Sequence, residues 1–194
     1  MIRLHVFTGA VCLVLAATGA SQAAGQASDS FWERLTALCG QAYGGELIRA
    51  PEGDTSFSGR ALVMHVRACE ENRIRIPFVA GDDLSRTWVL TRHEDGRIEL
   101  RHDHRHPDGS DEDVTMYGGV SPSEGGPHGR IFPADDQTNT VIPGSWPNVW
   151  MMEVYPGERF VYFVQRLGTE RAFRVEFDLS VAVDSPSAPW GWED

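Results

Sequence analysis

Along most of the chain apolar and polar residues alternate one by one. Leu62, Met64 and Val66 alternate with Val63, His65 and Arg67, and Ile74, Ile76 and Phe78 alternate with Arg73 and Arg75. A period of two marks β-strands with one buried face. Residues 87–92, the Glu94-Asp95-Gly96 turn and the segment from Arg97 onward read as a hairpin. Toward the C-terminus, residues 149–155, 160–167 and 171–179 repeat the pattern, separated by Pro156-Gly157-Glu158 and Gly168-Thr169-Glu170. With a strand after Ala42 and another over 114–117, the pattern predicts about eight to ten strands. Helical spacing occurs once, at Phe31, Leu35 and Leu38, after the capping run Ser28-Asp29-Ser30 and before Gly40.

Short turns between successive strands predict an antiparallel meander. Such a sheet must deal with its edges, and closing into a barrel removes them. The expected fold is therefore mainly β, an antiparallel meander closing into a barrel similar to the calycin or lipocalin type, with one short N-terminal helix. It spans residues 28–183 and is followed by a Pro- and Trp-rich tail over 184–194. That tail either docks through its indoles or stays loose. Between Pro107 and Pro147 the alternation gives way to Gly118-Gly119, Gly125-Gly126, Asp135-Asp136 and scattered prolines, which reads as a long turn-rich segment, either a binding element or disordered.

The N-terminus changes the picture of compartment. Arg3, an apolar run from Val6 to Ala17 and the small-residue end Ser21-Gln22-Ala23 form a signal peptide over residues 1–23, too short and interrupted for a membrane span. No later segment is apolar enough to cross a membrane, so the expected destination is periplasmic or extracellular. The expected mature chain keeps two cysteines, Cys39 and Cys69, which read as a disulfide in an oxidising compartment.

Charge narrows the partners. The formal net charge is −11, which disfavours nucleic acid and anionic membranes. All 17 basic residues are arginine. Schiff-base chemistry, lysine general bases and a phosphate-cradling P-loop are excluded with lysine itself. No nucleophile elbow surrounds Ser145, and no His-Glu-x-x-His is present.

The candidate chemistry lies in Arg97-Ile-Glu-Leu-Arg-His-Asp-His-Arg-His106. Every odd position is charged, so Arg97, Glu99, Arg101, Asp103 and Arg105 are expected to face solvent. Ile98 and Leu100 then face the core, and His102, His104 and His106 continue that inward face. A return strand with Val114 and Met116 inward pairs His104 with Val114 and His106 with Glu112. That register assembles His102, His104, His106 and Glu112 at the barrel mouth. Three readings follow. One is a transition-metal site for zinc, copper, nickel or iron. Another is proton-shuttling catalysis. The last is a structural set of hydrogen-bonded histidines. His65, His93 and His128 read as ordinary surface.

Two resemblances bear on these readings. Gly96 followed after five residues by His102-x-His104 resembles the first half of a cupin metal motif, with Asp108 where that motif has glutamate and no second half in the chain. More broadly, the runs at 60–67 and 85–90, His102-Asp103-His104-Arg105-His106-x-Asp108-Gly109, and Thr115-x-Tyr117-Gly118-Gly119 resemble a family of secreted bacterial proteins. Phe132-Pro133-Ala134-Asp135 and Phe177-Asp178-Leu179-Ser180 share that likeness. It implies a bacterial source and an exported domain, and assigns no activity. The function expected is binding of a small molecule or ion in the barrel interior or mouth, where Trp88, Trp150, Met152 and Phe173 either line a pocket or fill the core. The alternatives are a metal-dependent enzyme using the three histidines, and a structural envelope or partner-binding protein.

Overall fold

The computed structural model describes residues 31–123 and 125–193. The expected signal peptide lies outside them. Helix α1 occupies residues 31–36. The strands are β1 (Ala42–Arg49), β2 (Leu62–His65), β3 (Ala68–Cys69), β4 (Arg73–Ala80), β5 (Asp83–Arg92), β6 (Ile98–His104), β7 (Tyr117–Val120), β8 (Gly129–Pro133), β9 (Asn148–Tyr155), β10 (Arg159–Arg166) and β11 (Ala172–Asp178). Helix α2 (Asp136–Val141) lies between β8 and β9. No helix among the described residues is long and apolar enough to cross a membrane.

All strands pair antiparallel in one sheet of order β7-β6-β5-β4-β2-β1-β11-β10-β9-β8, with β3 on β4. The β1–β11 ladder joins the two ends of the chain, and the sheet curls into a nearly closed barrel. Its remaining seam lies between β7 and β8. There the backbones nearly touch: a Cβ at Gly119 would sit 1.8 Å from the Pro133 carbonyl oxygen, while on the β6 side of β7 one at Gly118 (φ +154) would sit 1.9 Å from the Leu100 carbonyl oxygen. Helix α2 stitches the seam. The Thr138 hydroxyl accepts from the Gly118 amide at 2.6 Å and donates to the Gly118 carbonyl at 2.7 Å. Asp135 caps α2 by accepting from the Thr138 amide at 2.9 Å, and its carboxylate holds Arg101 of β6 at 2.6 Å.

The 107–147 segment is thus not one long loop. It contains two barrel strands and the helix that binds them. Strand β7 shares only Tyr117 with the strand expected over 114–117, because the Gly118-Gly119 pair that follows has no side chains with which to alternate. Close backbone approach requires that.

Inside, even-numbered residues of β4, β5, β6, β9 and β10 meet odd-numbered residues of β11. One end of the barrel is sealed. Phe31 and Leu35 of α1 are fully buried within the same core cluster as Ile74, Leu90, Ile98, Val154 and Phe160. Arg92 and Arg130 lie over the rings of Trp32 and Phe31 at 5.3 and 4.9 Å. Cys39 and Cys69 form the expected disulfide, tying the segment after α1 to β3.

The outer face differs from expectation. Arg101 and Asp103 point outward but are buried, at 7% exposure each. Arg101 is clasped by Glu99 and Asp135, and Arg105 reaches Asp103, Asp111 and the Gly109 carbonyl. The tail covers part of this face. The Trp190 amide bonds the Leu84 carbonyl, Arg67 bonds the Glu193 carbonyl, and Arg75 lies over the Trp192 ring at 5.7 Å. The tail therefore docks. His65 is likewise buried rather than ordinary surface.

Candidate functional site

The mouth opposite α1 holds a cavity of about 440 Å³. Its wall can be read row by row from the strand register. On one side the outermost inward row is Asn148, Arg166 and Arg171, from β9, β10 and the turn into β11. Below it come Trp150, Val164 and Phe173, and then Met152, Tyr162 and Val175. On the other side Arg86 of β5 pairs with His104 of β6, above Trp88 and His102. Phe57 overhangs the opening. The Asp54 carboxylate accepts from the amides of Ser56, Phe57 and Ser58, each at 3.0 Å, and this turn props the Phe57 ring 5.5 Å from Phe173 and 5.2 Å from Phe78.

His102 and His104 point inward as expected. His106 does not: β6 ends at His104, and His106 is exposed in a turn where its amide bonds the Ser110 carbonyl. The return path also differs. Glu112 lies opposite His104 through its amide, and Tyr117 opposite His102. Five residues therefore cover what two cover on β6. The intervening bulge leaves Val114, at 43% exposure, lining the cavity, turns Met116, at 36%, to the outer face, and brings Tyr117 inward. The Thr115 hydroxyl accepts from the His104 amide and holds the bulge in place. Glu112 thus meets His104 rather than His106, with its carboxylate 3.5 Å from Nδ1.

Two hydrogen-bonded chains result. His102, 3% exposed, donates from Nδ1 to the Tyr117 carbonyl at 3.1 Å, since a carbonyl can only accept. Its Nε2 then accepts from the Tyr162 hydroxyl at 2.9 Å. The Tyr117 ring stacks on the His102 imidazole, with centroids 4.6 Å apart. In the second chain the Tyr117 hydroxyl meets His104 Nε2 at 3.0 Å, and Glu112 stands beyond Nδ1.

Burial dominates the acid–base character of all four rings. It lowers His102 to about 3, against the opposing Tyr117 carbonyl bond. Burial, helped by the Arg86 charge, lowers His104 to about 4. Tyr117 is raised to about 12 by burial, and Tyr162 well above its usual value by burial and the neighbouring Tyr117. At neutral pH both imidazoles and both phenols are uncharged.

Among the described residues no group of three or more His, Cys, Asp or Glu side chains is arranged to hold a metal ion. Both ring nitrogens of His102 are engaged by protein groups. Of the aromatic and methionine candidates, Trp150 and Phe173 line the cavity, while Trp88 and Met152 fill the core. His93 is exposed, and His128 stacks on Tyr155 at 4.8 Å, away from the mouth.

Sequence reasoning missed Tyr117, Tyr162, Arg86, Arg166 and Arg171. For the arginines the signal was available. Arg86 shares parity with inward Trp88, Arg166 with Tyr162 and Val164, and Arg171 with Phe173, the same continuation of an apolar face that singled out the histidines. Comparison of the chain with protein-family models, with curated proteins and with solved structures finds no match.

Proposed function

We propose that this protein is an exported binding protein that takes a small molecule into the barrel mouth. The observation that carries the reading is the cavity itself. Pockets for small ligands measure about 300–1,000 Å³, with apolar walls and a few placed polar groups. This one has that size, with Trp150, Phe173, Phe57 and Val164 as walls and His104, Tyr117 and Asn148 as polar groups. A barrel serving only as a structural or partner-binding body has no need of such a space. The β1–β11 closure of a consecutive meander supports the calycin-like class within this proposal, and the Cys39–Cys69 disulfide supports export to an oxidising compartment.

Binding fits the electrostatics better than catalysis. A general acid or base works best with a pKa near the operating pH. His104, lowered to about 4, and Tyr117, raised to about 12, sit far from neutrality on either side. They act as fixed hydrogen-bonding groups of a preorganised pocket.

The reading is tested with Val164→Trp, which places an indole in the cavity. Wild type titrated with 2-naphthol, 2-naphthamide and 2-naphthoate is expected to show saturable quenching of Trp150 fluorescence, and the variant none. Absence of saturable binding by all three probes would defeat the reading. A transition metal such as zinc, copper or iron is a second reading and rests on the His104–Glu112 pair. Elemental analysis of untagged protein after exposure to each metal decides it, and a molar ratio near zero removes it.

A further inference from the structure

The mouth carries an electrostatic feature that its apolar walls do not require. Arg166 and Arg171 lie directly opposite one another across the β10–β11 hairpin, where the Arg166 amide bonds the Arg171 carbonyl at 3.0 Å. Both side chains line the cavity. Like charges directly opposite on one face of a sheet destabilise it. A neighbouring carboxylate ordinarily relieves such a pair, yet among the described residues neither arginine forms an ion pair with one. Arg166 bonds the neutral amide oxygen of Asn148 at 3.3 Å. Elsewhere the chain, at net −11, supplies carboxylates freely: Arg101 has two and Arg105 has two.

The charge balance around the opening has the same sign. Arg86 is matched by Asp83, and both histidines are neutral at pH 7. The acidic group lining the cavity is Glu112, which lies against His104 on the wall across from Arg166 and Arg171. The β10–β11 side of the mouth is thus positive within an acidic protein. Guanidinium groups pair with oxyanions through two parallel N–H bonds, and an anion between two of them removes their repulsion. Immediately below this row lie Trp150, Val164 and Phe173, with Phe57 packed on Phe173 from above.

We propose that the mouth selects amphiphilic oxyanions, with the anionic head held by Arg166 and Arg171 and an aromatic or aliphatic body inserted between Phe57, Trp150 and Phe173. This rests on the small-molecule reading above and names its ligand class. Carboxylates and phosphate monoesters share the head-group chemistry.

The experiment compares 2-naphthoate, 2-naphthyl phosphate and the neutral isostere 2-naphthamide by calorimetry on the full mature chain. At least one of the two anions is expected to bind tenfold or more tightly than the amide, with affinity falling as salt is raised, and their order identifies the preferred head. The double variant Arg166→Gln/Arg171→Gln is expected to lose that preference while melting at the wild-type temperature or above it. This separates a ligand-holding pair from a structural one. Equal binding of anions and amide would overturn the proposal and leave the small-molecule reading standing. Failure of all three probes would overturn both. Anion preference retained in the double variant would also overturn the assignment to these arginines.

Discussion

The two ends of this barrel are built from the same strands and treated in opposite ways. At the sealed end Phe31 and Leu35 of α1 are fully buried, with the aromatic faces of Phe31 and Trp32 covered by Arg130 and Arg92 and a disulfide fastening the adjoining segment. At the mouth the same alternation runs on into Arg86, His104, Arg166 and Arg171, and among the described residues no helix covers them. The middle layer, with His102, Tyr162 and Trp88, is the boundary. There polar groups are present but every one is hydrogen-bonded or stacked. Stability is concentrated at one end and exposed chemistry at the other, so substitutions at the two ends should separate folding from binding.

The largest effect should come from the seam on which both ends depend. Gly119→Ala drives a methyl group into the Pro133 carbonyl, and we expect a loss of more than about 4 kcal/mol. Protease resistance of the expressed protein reads this out, and a fully protected variant would contradict the closed seam. At the sealed end, Phe31→Ala should cost about 3–5 kcal/mol by denaturant unfolding. Ligand affinity at the mouth should stay unchanged; a parallel fall would show that the two ends are not independent.

Acid acts on the two inward histidines, His102 of the boundary layer and His104 of the mouth. Well above the unfolded-state value of 6.5 the two histidines are neutral in both states and contribute no pH dependence. Below it the unfolded chain takes up protons that folded His102 and His104 refuse, so stability falls with pH, down to about 4 for His104 and about 3 for His102. The slope is about 1.4 kcal/mol per pH unit for each ring. Unfolding curves between pH 7 and 5 should show it, and a flat profile would mean that the rings are accessible to protons in the native barrel. A smaller loss, about 1–3 kcal/mol, is expected for Tyr162→Phe, which leaves His102 Nε2 buried without a donor. Smallest of all, Arg171→Gln at the mouth should shift stability by less than about 0.5 kcal/mol. A large destabilisation there would make the arginine part of the scaffold.

Much of this was legible in one dimension. Period-two alternation placed β2, β4, β5, β6, β9, β10 and β11, and the inward faces of β2, β4, β6 and β11, because each strand buries one side and the pleat enforces the parity. Phe31, Leu35 and Leu38 marked the short N-terminal helix, though not that it seals the barrel, and cysteine number with compartment marked the disulfide. The alternation of Arg97 to His106 correctly sent His102 and His104 inside.

Other features were decided only in three dimensions. His106 left the site because β6 ends two residues earlier, and Tyr117 entered it because a bulge absorbs three extra residues between Glu112 and the β7 ladder. Strand β7 could not announce itself, since the seam needs Gly118-Gly119 where a pattern needs side chains. The burial of Arg101 and Asp103 depended on α2 and the tail arriving from far along the chain. Local alternation reports which side of a strand avoids water, and it does so from the strand alone. Where a strand stops, what covers its outer face and which charges meet across the mouth are set by contacts between distant segments, and these have no period to read.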